Sequence, residues 1–226
     1  IKTNINGAEN VIDAALKAGV HDVIALSSDK ACAPLNLYGA TQLVSDKLFV
    51  AANNMKGSKD ISFSVVRYGN VMGSKGSVIP LFLKRKELGG RSLPITDKRM
   101  TRFIISNQEV VTAVEFALEH HLGGEIFVPK TPSYRITDLA TAIAPNMGQE
   151  EVGIRPGEKI YEELISRAES GNTIETDGYY VILPSLTYTG HRALDNYLEH
   201  YNAQVVTDGF HYCSNENPVF ETVESL

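Results

Sequence analysis

The chain has 226 residues, 43% of them hydrophobic, with 27 acidic against 21 basic side chains and a net charge of −6. That is enough apolar material for the core of one large domain or a domain plus a small lobe, and the acidic balance argues against a nucleic-acid scaffold. Two cysteines without paired spacing, Cys32 and Cys213, exclude a disulfide framework and fit a reducing, cytoplasmic setting, and no apolar run approaches the roughly 18–20 residues of a membrane span.

The first helix is predicted from Thr3 to about Lys17, with Ala8, Val11, Ile12, Ala15 and Leu16 as its apolar stripe and Gly19 closing it. Asp22 to Ser27 is short, apolar and β-branched, and reads as a buried parallel strand. Function in such sheets lies beyond the strand's carboxyl end, which is where Ser28, Asp29 and Lys30 fall. Past Pro34 a second helix begins near Leu37, with Tyr38 and Gln42 on one face. Cys32, close by, reads as a core or lining residue.

Ile61 to Arg67 is the next strand, followed by Tyr68-Gly69-Asn70-Val71 and a glycine-bearing turn, Gly73 to Ser77, before a helix. The turn is neither a G-x-G-x-x-G nor a P-loop; alone it reads as a surface turn, although glycines and a helix start suit an anion. Between Leu88 and Phe103 the composition changes, marking a crossing into a smaller lobe and suggesting domains of residues 1–87 and 88–226, with later elements returning to the first. Lys98 and Arg99 read as a solvated face, and Arg102 precedes a strand at Phe103 to Ile105.

Ser106-Asn107 opens a helix running to His120, Glu125 to Val128 is a short strand, and Thr137 to Ala144 is a helix with Thr137 as cap. Arg155-Pro156-Gly157-Glu158-Lys159 leads into a predicted helix carrying Tyr161, Glu162 and Leu164, and Gly178 to Leu183 is a strand. The six histidines lack metal-ligand spacing and are expected at the surface.

Four stretches, SSDKACAPLNLYGATQ, VVRYGNVMGSKGSVIP, LPITDKRMTRF and IRPGEKIYEELIS, occur in this order across most of the chain. Together they resemble the extended short-chain dehydrogenase/reductase enzymes that act on nucleotide sugars. Within that family they are similar to the inverting UDP-N-acetylglucosamine 4,6-dehydratases that open pseudaminic acid synthesis. The resemblance implies an α/β fold, a Rossmann-type doubly wound parallel sheet with a smaller C-terminal substrate-binding lobe. It also implies a nicotinamide cofactor, NADP with NAD as the alternative, and a UDP-sugar substrate. A glycine-rich strand-to-helix turn belongs at the start of such an enzyme. None is present here, and Ile1 leads straight into a helix entry, so the chain is expected to be a fragment lacking the first mononucleotide-binding half, poorly soluble and inactive alone. The longer protein is expected to be a homo-oligomer, with neither nucleic acid nor membrane as partner.

By the same resemblance, Tyr38 takes the proton of the C4 hydroxyl, Lys30 removes the C5 proton, Asp29 protonates the departing C6 hydroxyl and Ser28 orients the reacting oxygen. Ser27, Ser28, Tyr38, Gln42 and Val71 line the cofactor; Asn70, Arg102 and Arg155 contact the sugar nucleotide. Asn4 supports the active-site loops and Glu158 braces the lobe. One position departs from the family, whose Tyr-x-x-x-Lys pair is here Tyr38-x-x-x-Gln42: glutamine can hydrogen-bond a ribose but brings no charge, which predicts turnover lower by roughly 10²- to 10⁴-fold. The alternative readings are a UDP-sugar 4-epimerase, sharing fold and tyrosine but without use for the Asp-Lys pair, and a non-catalytic UDP-sugar-binding remnant.

Overall fold

The computed structural model describes residues 1–184 and 194–226. A π-helical turn, Lys2–Asn6, runs into α1 (Gly7–Ala18), which Gly19 ends in the left-handed region at φ 71°. Strand β1 (Asp22–Ser28) is followed by a 3₁₀ turn at Asp29–Ala31 and by α2 (Leu37–Ala52). Then come β2 (Ser62–Tyr68), β3 (Asn70–Val71), α3 (Val78–Glu87), β4 (Ser92–Ile95) and β5 (Thr101–Ile105). Next are α4 (Asn107–His120), β6 (Ile126–Pro129), β7 (Ser133–Arg135), α5 (Ile136–Ile143), β8 (Gly148–Glu151) and β9 (Glu163–Ile165). The last are β10 (Thr173–Glu175), β11 (Tyr179–Ile182), α6 (Leu194–Tyr201), β12 (Gln204–Val205) and β13 (Tyr212–Cys213).

These elements divide into two compact units that interleave along the chain. One comprises Ile1–Tyr68, Gln108–Lys130 and Leu164–His211; the other Gly69–Asn107, Thr131–Glu163 and Tyr212–Leu226. The composition change at Leu88 falls inside the second unit, where α3 ends and a turn leads to β4.

In the first unit β1, β2 and β6 are parallel, and β11, β10 and β12 continue the same six-stranded sheet, each antiparallel to the strand before it. The run of Phe63, Ser64, Val65, Val66 and Arg67 in β2 is buried on both faces, as suits a strand flanked by parallel neighbours. β1 is instead the end strand of the order, and Leu26 is 55% exposed, so the expectation of a buried strand gives way to a half-covered one. Val66, Phe127, Ile174 and Val181 of the sheet pack with Ala113 and Ala117 of α4 and with Tyr197 and Tyr201 of α6. The second unit has its own core, Phe82, Leu93, Ile95, Ile104, Tyr134 and Leu139, around the parallel pair β4–β8 and the strands β3, β5 and β7.

Three local expectations are corrected. Tyr161, Glu162 and Leu164 do not lie on a helix: Glu163–Ile165 is strand β9 and the preceding residues form turns. Their carbonyls and amides are taken by distant partners, Thr101 N donating to Ile160 O at 3.1 Å and Ser214 N to Glu162 O at 2.8 Å, which leaves nothing for an i to i−4 ladder. Thr137 is not a cap, since α5 begins one residue earlier after Arg135 without a side-chain cap. Finally, His121 is not a surface residue. Its side chain is 2% exposed, between Ser64 Oγ at 3.2 Å and Asp22 Oδ1 at 2.9 Å. Ser64 is fully buried and donates to Glu125, so this trio is structural. His191 lies outside the described residues.

Candidate active site

The site is built where β1 ends. Ser28 is still extended, and its hydroxyl oxygen caps the following turn by accepting from Lys30 N at 3.1 Å. The same hydroxyl donates to Asp29 Oδ1 at 2.9 Å, and Lys30 Nζ donates to that oxygen at 2.8 Å. Asp29 is 1% exposed and its second oxygen, Oδ2, is buried without a hydrogen-bond partner among the described residues. An orphaned buried acceptor is costly, on the order of 1–3 kcal/mol, unless a proton or a ligand donor meets it. Lys30 is about one-third open, so the pair is reachable from its amine side.

The chain then turns through Ala33, a non-glycine residue held at φ 42°, to Asn36, whose side-chain oxygen accepts from Gly39 N at 2.9 Å and starts α2. This puts Tyr38 in the first helical turn, 53% exposed, with Gln42 Nε2 donating to its hydroxyl at 3.4 Å. The turn and the helix are tightly apposed: a Cβ at Gly39 would lie 2.5 Å from Lys30 O and 2.9 Å from Pro34 Cβ. Asn4 Nδ2 donates to Thr41 Oγ1 at 3.0 Å, and Thr41 Oγ1 donates to Tyr38 O at 2.7 Å, so the first turn of α2 is fastened from the chain's start. Ser28, Asp29 and Lys30 are therefore directly bonded, and the close approach of the Lys30 carbonyl to Gly39 brings the first turn of α2, which carries Tyr38, against their turn. Ser27 is different: its hydroxyl is buried and donates to Asp46 Oδ2 at 2.8 Å.

Tyr68 closes β2 opposite Ser28 in the strand register. Burial, with the neighbouring Tyr38 phenol adding to it, pushes the Tyr68 hydroxyl above the ordinary tyrosine range.

In the second unit Asn70 pairs with Ile104 across β3 and β5, and its Oδ1 is buried without a partner among the described residues. Ser77 Oγ is likewise unpartnered, and both face a small pocket lined also by Val71, Met72, Ile104 and Tyr134. Arg102 is committed elsewhere: Nη1 donates to Thr101 O at 2.7 Å and Ile160 O at 3.0 Å, and Nη2 to Lys159 O at 2.9 Å. It fastens the loop that follows Arg155. Arg155 itself is open, its side chain 78% exposed and loosely paired with Glu158 at 3.9 Å, while Glu158 accepts from Arg155 N and braces the turn.

Lys98 is exposed, and Arg99 is a clamp, binding both oxygens of Asp97 at 2.9 and 2.7 Å. Those hydrogen bonds lower the Asp97 carboxyl from an ordinary 3.8 to about 2. Because the folded value lies below the unfolded one, the pair supports the fold above about pH 4 and loses that contribution as pH falls through the folded value. We expect an NMR titration of Asp97 to show a midpoint near 2 in the parent and near the ordinary value in Arg99→Ala; equal midpoints would contradict the clamp.

Three members of the buried charge cluster beneath this site, Asp46, Arg67 and Glu169, escaped the sequence reading. Arginine within an apolar strand run was the one local signal. Cys32 is buried near Glu169, and Cys213 is held by Glu162 O and Asn215, its thiol pushed up to about 11 by burial first of all. No cluster of three His, Cys, Asp or Glu suited to a metal occurs among the described residues.

Residues 1–184 match the polysaccharide biosynthesis protein family. The chain belongs to that family. It is 53% identical over 231 residues to the UDP-N-acetylglucosamine 4,6-dehydratase (inverting) of Campylobacter jejuni, all of this chain and 68% of that protein being covered. Against the UDP-glucose 4-epimerase of Rickettsia canadensis it is 41% identical over 186 residues, 80% of this chain and 54% of the other. Pen from Bacillus thuringiensis matches in structure with TM-score 0.85 and 35% identity, covering 98% of this chain and 66% of Pen. At 20% identity a dTDP-glucose 4,6-dehydratase from Streptomyces venezuelae, solved with NAD, shares the fold at TM-score 0.63, covering 70% of this chain and 56% of that one. Among the described residues no helix is long and apolar enough to cross a membrane.

Proposed function

We propose that this family member forms the catalytic centre of an inverting UDP-N-acetylglucosamine 4,6-dehydratase, converting its substrate to a 4-keto-6-deoxy sugar with inversion at C5. The observation that carries the reading is Asp29, buried at the strand end with one oxygen bonded by Ser28 and Lys30 and the other unpartnered. The relative of 53% identity bears this activity in its name.

The chain's own residues supply the proton steps. Tyr38, open on α2, takes the proton of the C4 hydroxyl. The Tyr38 phenol and Gln42 amide suit the ribose edge of a nicotinamide cofactor, which we assign as NADP, with NAD the alternative; bound there it would accept the C4 hydride and return it to C6, while a solvent-derived proton adds to C5 on the face opposite Lys30 and so inverts that centre. The C4 ketone acidifies C5, whose proton passes to Lys30 Nζ, while Asp29 Oδ2 delivers a proton to the C6 hydroxyl, which leaves as water. This requires the pair in its acid–amine form, which contains the same number of protons as the ion pair. The step converts one into the other: the pair begins as carboxylic acid and amine and ends as carboxylate and ammonium. The contact of 2.8 Å between Nζ and Oδ1 lets it reset by internal transfer. Ser28, bonded to Asp29, keeps Oδ1 engaged so that Oδ2 faces the leaving group. Asn70 and Ser77 offer unpartnered polar atoms to a sugar nucleotide, Val71 lies beside them, and exposed Arg155 suits a diphosphate.

A UDP-sugar 4-epimerase would share Tyr38 and the fold, and the Rickettsia relatives favour keeping it in view; it has no use for an acid and a base at C6 and C5. Incubating the full-length protein with UDP-N-acetylglucosamine and NADP⁺ in deuterated water decides between them. The expected product has lost one water and gained solvent deuterium at C5. An isomer of unchanged mass would establish epimerisation, and binding of the nucleotide sugar with no product would leave the non-catalytic remnant.

A further inference from the structure

Arg67 is completely buried, and no step of the proposed chemistry uses it. Its guanidinium ties together three parts of the first unit. Nε and Nη2 reach Asp46 Oδ2 on α2 at 3.4 and 3.3 Å, and Nη1 donates to Leu164 O in β9 at 3.0 Å and to Glu169 Oε1 at 3.1 Å. The two carboxylates continue to residues next to the site. Asp46 also accepts from Ser27, the neighbour of Ser28, and stands one and two helical turns past Gln42 and Tyr38 on the same side of α2. The other oxygen of Glu169 accepts from Ser166 N and Oγ at 2.9 and 2.8 Å and lies 3.8 Å from the sulfur of Cys32, two residues beyond Lys30.

Resting on the dehydratase reading above, we infer that Arg67 is a positioning residue that fixes the Tyr38 helix against the Asp29–Lys30 turn. A planar fork can bond Asp46, Leu164 and Glu169 at once, whereas an ammonium is a single point charge. Burial opposes ionisation of Glu169, but Arg67 and the Ser166 bonds outweigh it and hold its carboxyl below the ordinary range; burial dominates at Asp46 and raises it despite Arg67 and Ser27. Glu169 is thus the firm anionic end, and Asp46 the end that transmits position to α2. Packing alone does not demand this arrangement, since buried ion networks can be replaced by apolar side chains of similar volume with no loss of stability.

That equivalence supplies the test, in the full-length protein. Arg67→Lys is expected to lower kcat by about ten- to a hundredfold with KM nearly unchanged, the scale on which a misplacement of about 1 Å acts. The apolar triple Arg67→Met, Asp46→Leu, Glu169→Leu is expected to recover melting temperature without recovering kcat. Recovery of turnover together with stability would reduce Arg67 to a structural role and overturn the inference, as would an Arg67→Lys enzyme of parental kcat. A readout free of activity separates this from the dehydratase reading: with 3-fluorotyrosine at position 38, Arg67→Lys should shift or broaden the ¹⁹F resonance in cofactor-free protein, and an unmoved resonance refutes positioning even if no product is ever formed.

Discussion

Gln42→Lys is expected to raise turnover of the full-length protein by roughly 10²- to 10⁴-fold, the span typical of general acid–base assistance. Gln42 and Tyr38 are one helical turn apart, and the glutamine amide already touches the phenol oxygen at 3.4 Å, so a lysine amine reaches the same place without moving the backbone. A unit charge about 4 Å from the phenolate is worth about 4 kcal/mol at an effective dielectric of 20. Tyr38 is half open to water, which screens part of that and favours the lower end of the range. The pH profile sharpens the test, because stabilising the phenolate must carry the basic form of the enzyme to lower pH. Unchanged kcat and an unchanged profile would show that Tyr38 is not the base.

Gly39→Ala should damage the same site from the other side. Alanine favours a helix over glycine by about 1 kcal/mol, and Gly39 has no left-handed backbone to excuse it. Yet its Cβ would stand 2.5 Å from Lys30 O, a backbone atom with no rotamer by which to withdraw. Overpacking of this kind costs about 1–3 kcal/mol, so the clash outweighs the propensity. The expected variant melts lower than the parent and has lost most of its turnover because Lys30 is displaced. A variant as stable and active as the parent would mean the loop yields freely, and the precise seating of Lys30 would then be irrelevant.

Much of this centre could be read from local chemistry. Val, Ile and Phe runs betrayed β1, β2 and β11, Pro34 and Asn36 marked the entry to α2, and the order Ser-Asp-Lys then Tyr pointed to the strand's end as the candidate site. What was illegible depends on partners far away in sequence. Tyr161, Glu162 and Leu164 were expected on one helix, but Arg102, Thr101 and Ser214 claim the backbone around them and hold it in turns that lead into β9. Arg67 looked like one polar residue ending a strand, and its acceptor Glu169 lies 102 residues further on. Arg102, placed at the sugar nucleotide by resemblance alone, gives donors to carbonyls of the neighbouring loop, a partnership with residues 57 and 58 positions away that no local pattern announces.

The interleaving of the two units bears on how the protein is made. The first unit is not complete until His211 has been synthesised, and the second draws on the stretch Tyr212–Leu226. Tyr212 and Asn217 bond Thr131, and Ser214 bonds Thr101, so the final segment is sewn into a body whose other parts were made long before. At about 5–20 residues per second, ordinary domains fold one after another as they emerge from the ribosome. Here the first body cannot close until His211 has emerged and the second not until Tyr212–Leu226 follow it, so strands of both stay exposed while the intervening segments are made, which makes that interval the one in which this chain most needs a chaperone.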